Sequence, residues 1–141
     1  MEIENTAMTD RTRIILLDDN EWELFLHHEL LLLYGIRFEI ETYTSPTQVI
    51  DMLKGKNEMN DYIILCDLHM PGMNGFEFID QVSKLPYYHK NKISIFLLSA
   101  TVDYDEIRKA KTYECVNGVL SKPLNVDALL SQLSGKKLAS V

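Results

Sequence analysis

Short apolar runs alternate with helical patterns along most of the 141 residues. Ile14-Ile15-Leu16-Leu17 is continuous rather than alternating, which predicts a central parallel strand covered on both faces. Asn20 is placed to cap a helix, with Glu23 at its third position. Trp22, Phe25, Leu26, Leu30 and Leu33 recur at helical spacing as its inward stripe, and Gly35 marks its end. Ile36, Phe38 and Ile40 alternate with Arg37, Glu39 and Glu41, which predicts a strand with one wet face at a sheet edge. Ser45-Pro46-Thr47-Gln48 reads as a second helix start with a closed capping box, followed by Val49, Ile50 and Leu53, with Gly55 as the stop. Ile63-Ile64-Leu65-Cys66 predicts a third strand. A loop over 68–74 leads to a helix around Gly75–Ser83 carrying Phe76, Ile79 and Val82. Ile93 to Leu98 predicts the fourth strand. Asp103 caps the next helix, with Ile107 and Ala110 inward. Val116 to Leu120 is a fifth, weaker strand, and Asn125 caps a last helix striped by Val126, Leu129, Leu130 and Leu133.

These are five β-then-α units, so the pattern predicts an α/β fold with a parallel sheet, right-handed crossovers and helices on both faces. Five units are too few for an eightfold barrel. A single doubly wound, flavodoxin-like (βα)5 domain with strand order 2-1-3-4-5 fits, because that order puts the alternating second strand at an edge. The expected domain covers 12–134, with 1–11 and 135–141 as short flexible termini. Nothing after 134 is long enough for an output domain.

Composition narrows the function. With 14 Lys+Arg against 21 Asp+Glu the net charge is -7, which argues against nucleic acid or an anionic membrane as partner. No apolar run reaches the roughly 18 residues of a membrane span, and the polar N-terminus is no secretory signal. Cys66 and Cys115 lie far apart without a CxxC, and read as reduced thiols of a cytoplasmic protein.

Ligands of open parallel sheets bind beyond the carboxyl ends of the strands. Asp18 and Asp19 follow the first strand, Asp67 the third, Ser99 the fourth and Lys122 the fifth. Carboxylates about 5 Å apart at an effective dielectric near 20 repel by about 3 kcal/mol per pair, a large share of a domain stability of about 5–15 kcal/mol. Lys122 is one counter-charge. A hard divalent cation such as Mg²⁺, which takes oxygen ligands, is the other.

Leu17-Asp18-Asp19-Asn20, Cys66-Asp67-Leu68-His69-Met70-Pro71-Gly72-Met73-Asn74-Gly75, Leu98-Ser99-Ala100-Thr101 and Ser121-Lys122-Pro123, in this order, resemble the receiver domain of two-component response regulators, of the stand-alone chemotaxis type. The resemblance covers about residues 12 to 134. It implies that Asp67 accepts a phosphoryl group from a sensor histidine kinase or histidine phosphotransfer protein, and that Mg²⁺ is held by Asp18, Asp19, Asp67 and the main-chain carbonyl of His69. It also implies that Lys122 pairs with the phosphoryl group. Ser99 is the switch hydroxyl, whose charge-assisted bond is worth about 1.5–3 kcal/mol. Output then passes to a downstream protein through the fourth helix, fifth strand and fifth helix. The His69 ring and Thr101 would tune access of hydrolytic water. His27 and His28 read as surface or packing residues near the donor's docking side, and His89 as part of a solvated loop. The Lys122–Pro123 peptide is expected in the cis form.

One departure stands out. Receivers commonly carry an aromatic four residues before the strand-5 Pro, and here that residue is Val119; Tyr104 and Tyr113 are the nearest substitutes. Leu124, where an aromatic is also frequent, is expected in the core. Competing readings are a receiver cut from a longer regulator with an output domain, a pseudo-receiver that binds partners without phosphorylation, and a phosphatase of the haloacid dehalogenase class. The last requires Asp-x-Asp, whereas the residue two past Asp67 is His69. The chain is therefore expected to be no enzyme beyond handling its own phosphoryl group.

Overall fold

The computed structural model describes residues 11–55, 60–85, 92–101 and 103–139, with side chains through 134. Its elements are β1 Thr12–Leu17, α1 Glu21–Leu33, β2 Glu39–Tyr43, α2 Pro46–Lys54, β3 Asp61–Asp67, α3 Gly75–Ser83, β4 Ile93–Ser99, α4 Tyr104–Ala110, β5 Val116–Ser121 and α5 Val126–Ala139. The strands form one sheet in the order β2-β1-β3-β4-β5. Every pairing is parallel. The expected fold and order are those observed. The loop holding His89 lies outside the described residues.

The continuous apolar strands bury both faces. Ile15, Leu17, Ile64, Cys66, Ile95 and Leu97 point to the side covered by α2, α3 and Ala110 of α4. Ile14, Leu16, Ile63, Leu65, Phe96 and Leu98 point to the side covered by α1 and α5. Each such side chain contributes about 1.5–3 kcal/mol by leaving water. The two sets interleave along each strand, so a one-residue slip would exchange the side chains that meet the two helix layers.

Helix α1 presents a different face to the core from the one expected. Leu24, His27 and Leu31 are buried, whereas Trp22 and Leu33 are each 80% exposed and Phe25 and Leu26 also face water. Of the expected stripe only Leu30 packs against the core, and only in part. The helix is apolar nearly all round, so spacing alone admits several phases. A histidine inside the true stripe concealed it. Gly35 ends the helix with φ 79°, a conformation that costs glycine little.

Three smaller differences concern element ends. β2 starts at Glu39, and Ile36 is buried in the preceding loop rather than in the strand. Ser45 makes no side-chain cap on α2, because its hydroxyl pairs with that of Thr47 at 2.8 Å. α5 continues through Gly135 to Ala139, past the boundary expected at 134.

Candidate functional site

Parallel pairing brings the carboxyl ends of β1, β3, β4 and β5 out on one rim. Leu17 stands beside Cys66, Asp67 beside Leu98, and Ser99 beside Ser121. The next residues therefore meet. Carboxylate oxygens of Asp18, Asp19 and Asp67 lie within 4.8 Å of one another. Asp18 and Asp67 are buried, and Asp19 is exposed.

Lys122 enters this cluster from β5. Its Nζ lies 3.0 Å from Asp67 Oδ1, 3.1 Å from Asp18 Oδ2 and 2.8 Å from Glu23 Oε1. Burial alone would lower the ammonium pKa. The contacts with Glu23, Asp67 and Asp18 outweigh it and hold Lys122 above the usual lysine range. Asp67 moves the opposite way for a carboxylate in such company. Burial pushes it up to about 6, Lys122 opposes the rise, and repulsion from Asp18 adds to it. Burial dominates because the carboxylate sits at the foot of the rim, against the apolar ends of β3 and β4.

The surrounding loops hold these groups in place. Asp18 Oδ1 accepts from the Asn20 N–H at 2.9 Å, and Asp67 Oδ1 accepts from the His69 N–H at 3.2 Å. Asp18 Oδ2 is buried without a hydrogen bond. Lys122 stands 3.1 Å from it as an ion pair. Beyond Asp67 the chain turns at Pro71-Gly72, where Gly72 has φ 84° and the Met73 N–H donates to the Pro71 carbonyl at 3.0 Å. Gly75 then starts α3 in close packing: a Cβ there would fall 2.9 Å from Leu97 Cδ2 and 3.1 Å from Leu68 Cα. Asn74 and Glu77 form a complete capping box on α3.

Ser99 is buried at the end of β4, and its hydroxyl donates to the Thr101 carbonyl at 2.7 Å. The Lys122 N–H donates to the Ser99 carbonyl at 3.0 Å, tying the β4 and β5 ends together. The Lys122–Pro123 peptide is cis. Leu124 is buried, and Val119 packs in part against the α2–α3 side of the core.

Two charged partners escaped the sequence reading. Glu23 was visible only as a cap residue, yet its side chain turns to Lys122. Glu106 of α4 pairs with His69, Oε2 to Nε2 at 3.2 Å, across the rim. No spacing rule joins either pair, because each spans elements far apart in sequence. His27 is buried with Nε2 unpartnered. Burial lowers its pKa, Asp18 and Glu23 oppose that, and Lys122 reinforces it. Tyr113 stacks on Phe76 with centroids 6.0 Å apart, and Lys109 lies over the same ring. Tyr104 is exposed.

The donor set suits a hard cation. Three carboxylates converge, one of their buried oxygens lacks a hydrogen bond, and no sulfur or imidazole competes within the cluster. That chemistry fits Mg²⁺. Among the described residues no helix is long and apolar enough to cross a membrane.

Comparison with known proteins agrees with the fold. The profile of the response regulator receiver domain matches residues 14–134. A response regulator receiver protein from Dyadobacter fermentans is 33% identical, with a TM-score of 0.79 over 86% of this chain and 94% of that one. A two-component response regulator from Cytophaga hutchinsonii is 31% identical at the same TM-score, over 93% of this chain and 99% of its own. The probable transcriptional regulator ycf29 of Cyanophora paradoxa is 34% identical over 74% of this chain, which spans 47% of that relative's length. The profile match over residues 14–134, together with these likenesses in sequence and fold, makes this chain a member of the response regulator receiver domain family.

Proposed function

We propose that this receiver domain accepts a phosphoryl group on Asp67. The observation that carries the reading is the juxtaposition of Asp67 with two further carboxylates and with Lys122 at 3.0 Å. In the transfer, the N–P bond of a donor phosphohistidine breaks and an O–P bond to an Asp67 carboxylate oxygen forms. The donor imidazole keeps the electron pair and takes a proton from solvent. The product is an acyl phosphate. Asp18, Asp19, Asp67 and the His69 main-chain carbonyl are the proposed holders of Mg²⁺. When bound, Mg²⁺ neutralises charge on the phosphoryl oxygens. Lys122 supplies a fixed positive charge 3.0 Å from the Asp67 carboxylate.

Ser99 is the proposed switch. Its hydroxyl would leave the Thr101 carbonyl, 2.7 Å away, for a phosphoryl oxygen. That exchange of a neutral acceptor for a charged one favours the active state by about 1.5–3 kcal/mol, enough to shift a population. The β4–α4 segment would follow, altering the face of α4, β5 and α5 that a downstream protein reads. The donor is a sensor histidine kinase or a histidine phosphotransfer protein in the cytoplasm. The receiver domain of Saccharomyces cerevisiae Ssk1, which shares this fold, co-crystallises with the histidine phosphotransfer protein Ypd1.

Acetyl phosphate with Mg²⁺ tests the reading. Wild-type protein should gain the mass of one phosphoryl group, as an acid-labile adduct, and Asp67→Asn should gain none. An unmodified wild type, or an equally modified variant, would refute it.

A further inference from the structure

Lys122 has three N–H donors and no acceptor, and three carboxylates face them. Asp18 and Asp67 belong to the acidic rim. Glu23 comes from α1, and its contact is the shortest of the three at 2.8 Å. Helix α3 shows what a glutamate at this helix position otherwise does: Glu77 Oε1 accepts from the N–H of its own cap residue Asn74 at 2.9 Å. In α1 the equivalent N–H, of Asn20, is already taken by Asp18 Oδ1. Asn20 meanwhile caps the Trp22 and Glu23 N–H groups by itself. Glu23 is therefore displaced from the cap and turns to Lys122.

We infer that Glu23 competes with a phosphoryl group for Lys122 and so weakens the hold of the acceptor site on phosphate. The inference rests on the reading of Asp67 as phosphoacceptor. A phosphoryl group on Asp67 brings additional negative charge to the ammonium that Glu23 already contacts. Since both carboxylates touch one ammonium, their oxygens are within roughly 6 Å of each other, a range in which like charges repel strongly at a half-buried site. Lys122 must then divide its donors between Glu23 and the phosphoryl oxygens. Glu23 acts through Lys122 and is a positioning residue. Its side chain is partly exposed, so salt screens the competition.

Beryllofluoride, which mimics a phosphoryl group on a carboxylate, is the probe, titrated with Mg²⁺ into the full chain and followed by fluorine NMR. Glu23→Gln should bind it about five- to twentyfold more tightly than wild type at low salt. The gain should shrink at high salt, and Glu23→Asp, which keeps the charge, should stay near wild type. The melting temperature of Glu23→Gln should barely move, since Asn20 supplies the cap; Glu23→Ala carries the same test if the amide finds a new partner. Equal or weaker binding by the charge-free variants overturns the inference and leaves the phosphoacceptor reading standing. A wild type that takes up no beryllofluoride overturns both.

Discussion

Replacing Asp67 with Asn should make the metal-free protein more stable. Asp67 is only 4% exposed, and its carboxyl is raised from 3.8 to about 6. A raised carboxylate pKa means that folding disfavours the charged form. About two pKa units correspond to roughly 3 kcal/mol at 1.36 kcal/mol each. Because the rim opens to water, screening reduces this to about 1–2 kcal/mol. The penalty is complete above pH 6, where the group is ionised in both folded and unfolded chains. It fades as pH falls from 6 to 3.8, where the folded state binds the proton first, and is absent below. Asparagine keeps the shape and removes the charge, and Lys122 retains Asp18 and Glu23. In EDTA at pH 7.5 the variant should therefore melt about 3–8 °C higher by circular dichroism, and the gap should close toward pH 4. Adding Mg²⁺ should stabilise wild type more than the variant, since a ligand favours the state that binds it. A variant no more stable than wild type at pH 7.5, or a gap indifferent to pH, would refute the account of Asp67 as a carboxylate raised chiefly by burial.

Three further outcomes follow from the same geometry. Phosphorylation by acetyl phosphate at limiting Mg²⁺ should decline as pH falls through about 6, because a protonated Asp67 is a far weaker nucleophile than the carboxylate; a rate flat from pH 8 to 5 in stopped assays would contradict the raised carboxyl. Gly75→Ala should lose about 1–3 kcal/mol in urea unfolding, as its Cβ would meet Leu97 and the Leu68 backbone, overpacking that outweighs better helix propensity; an unchanged midpoint would show that the turn yields. His27→Leu should gain about 1 kcal/mol at neutral pH by removing a buried unpaired nitrogen. Its advantage should widen below pH 6.5, because a histidine whose pKa is lowered in the fold supports the fold only while neutral; a constant difference between pH 7.5 and 5.5 would count against it.

The fold was legible because its central strands are unambiguous. β1, β3 and β4 are apolar runs with no competing helical phase, and the wet alternation of β2 placed it at the edge. Where the text was richer in apolar residues it was less informative. α1 offers Trp22, Phe25, Leu26, Leu30 and Leu33 to one reading and Leu24, His27 and Leu31 to another. The structure takes the second. A helix face is chosen by what the sheet and α5 leave open, not by the count of apolar residues on it. The strand ends needed no such arbitration, since parallel pairing alone carries Asp18, Asp19, Asp67, Ser99 and Lys122 to one rim.

What spacing could not reveal was the second layer of charge, and the reason lies in how loops share donors. Asn20 and Glu23 look like a cap and its glutamate, and that is how they would behave in an isolated helix. In the folded protein Asp18 takes the N–H that the glutamate would have used. One hydrogen bond, made by a residue of the acidic rim, converts a local helix signal into a long-range contact with Lys122 over 99 positions of sequence. The His69–Glu106 pair is likewise long-range: a residue placed by the turn after Asp67 meets one placed by the first turn of α4. Both are consequences of the rim rather than causes of it. They could be found only after the strands had been paired.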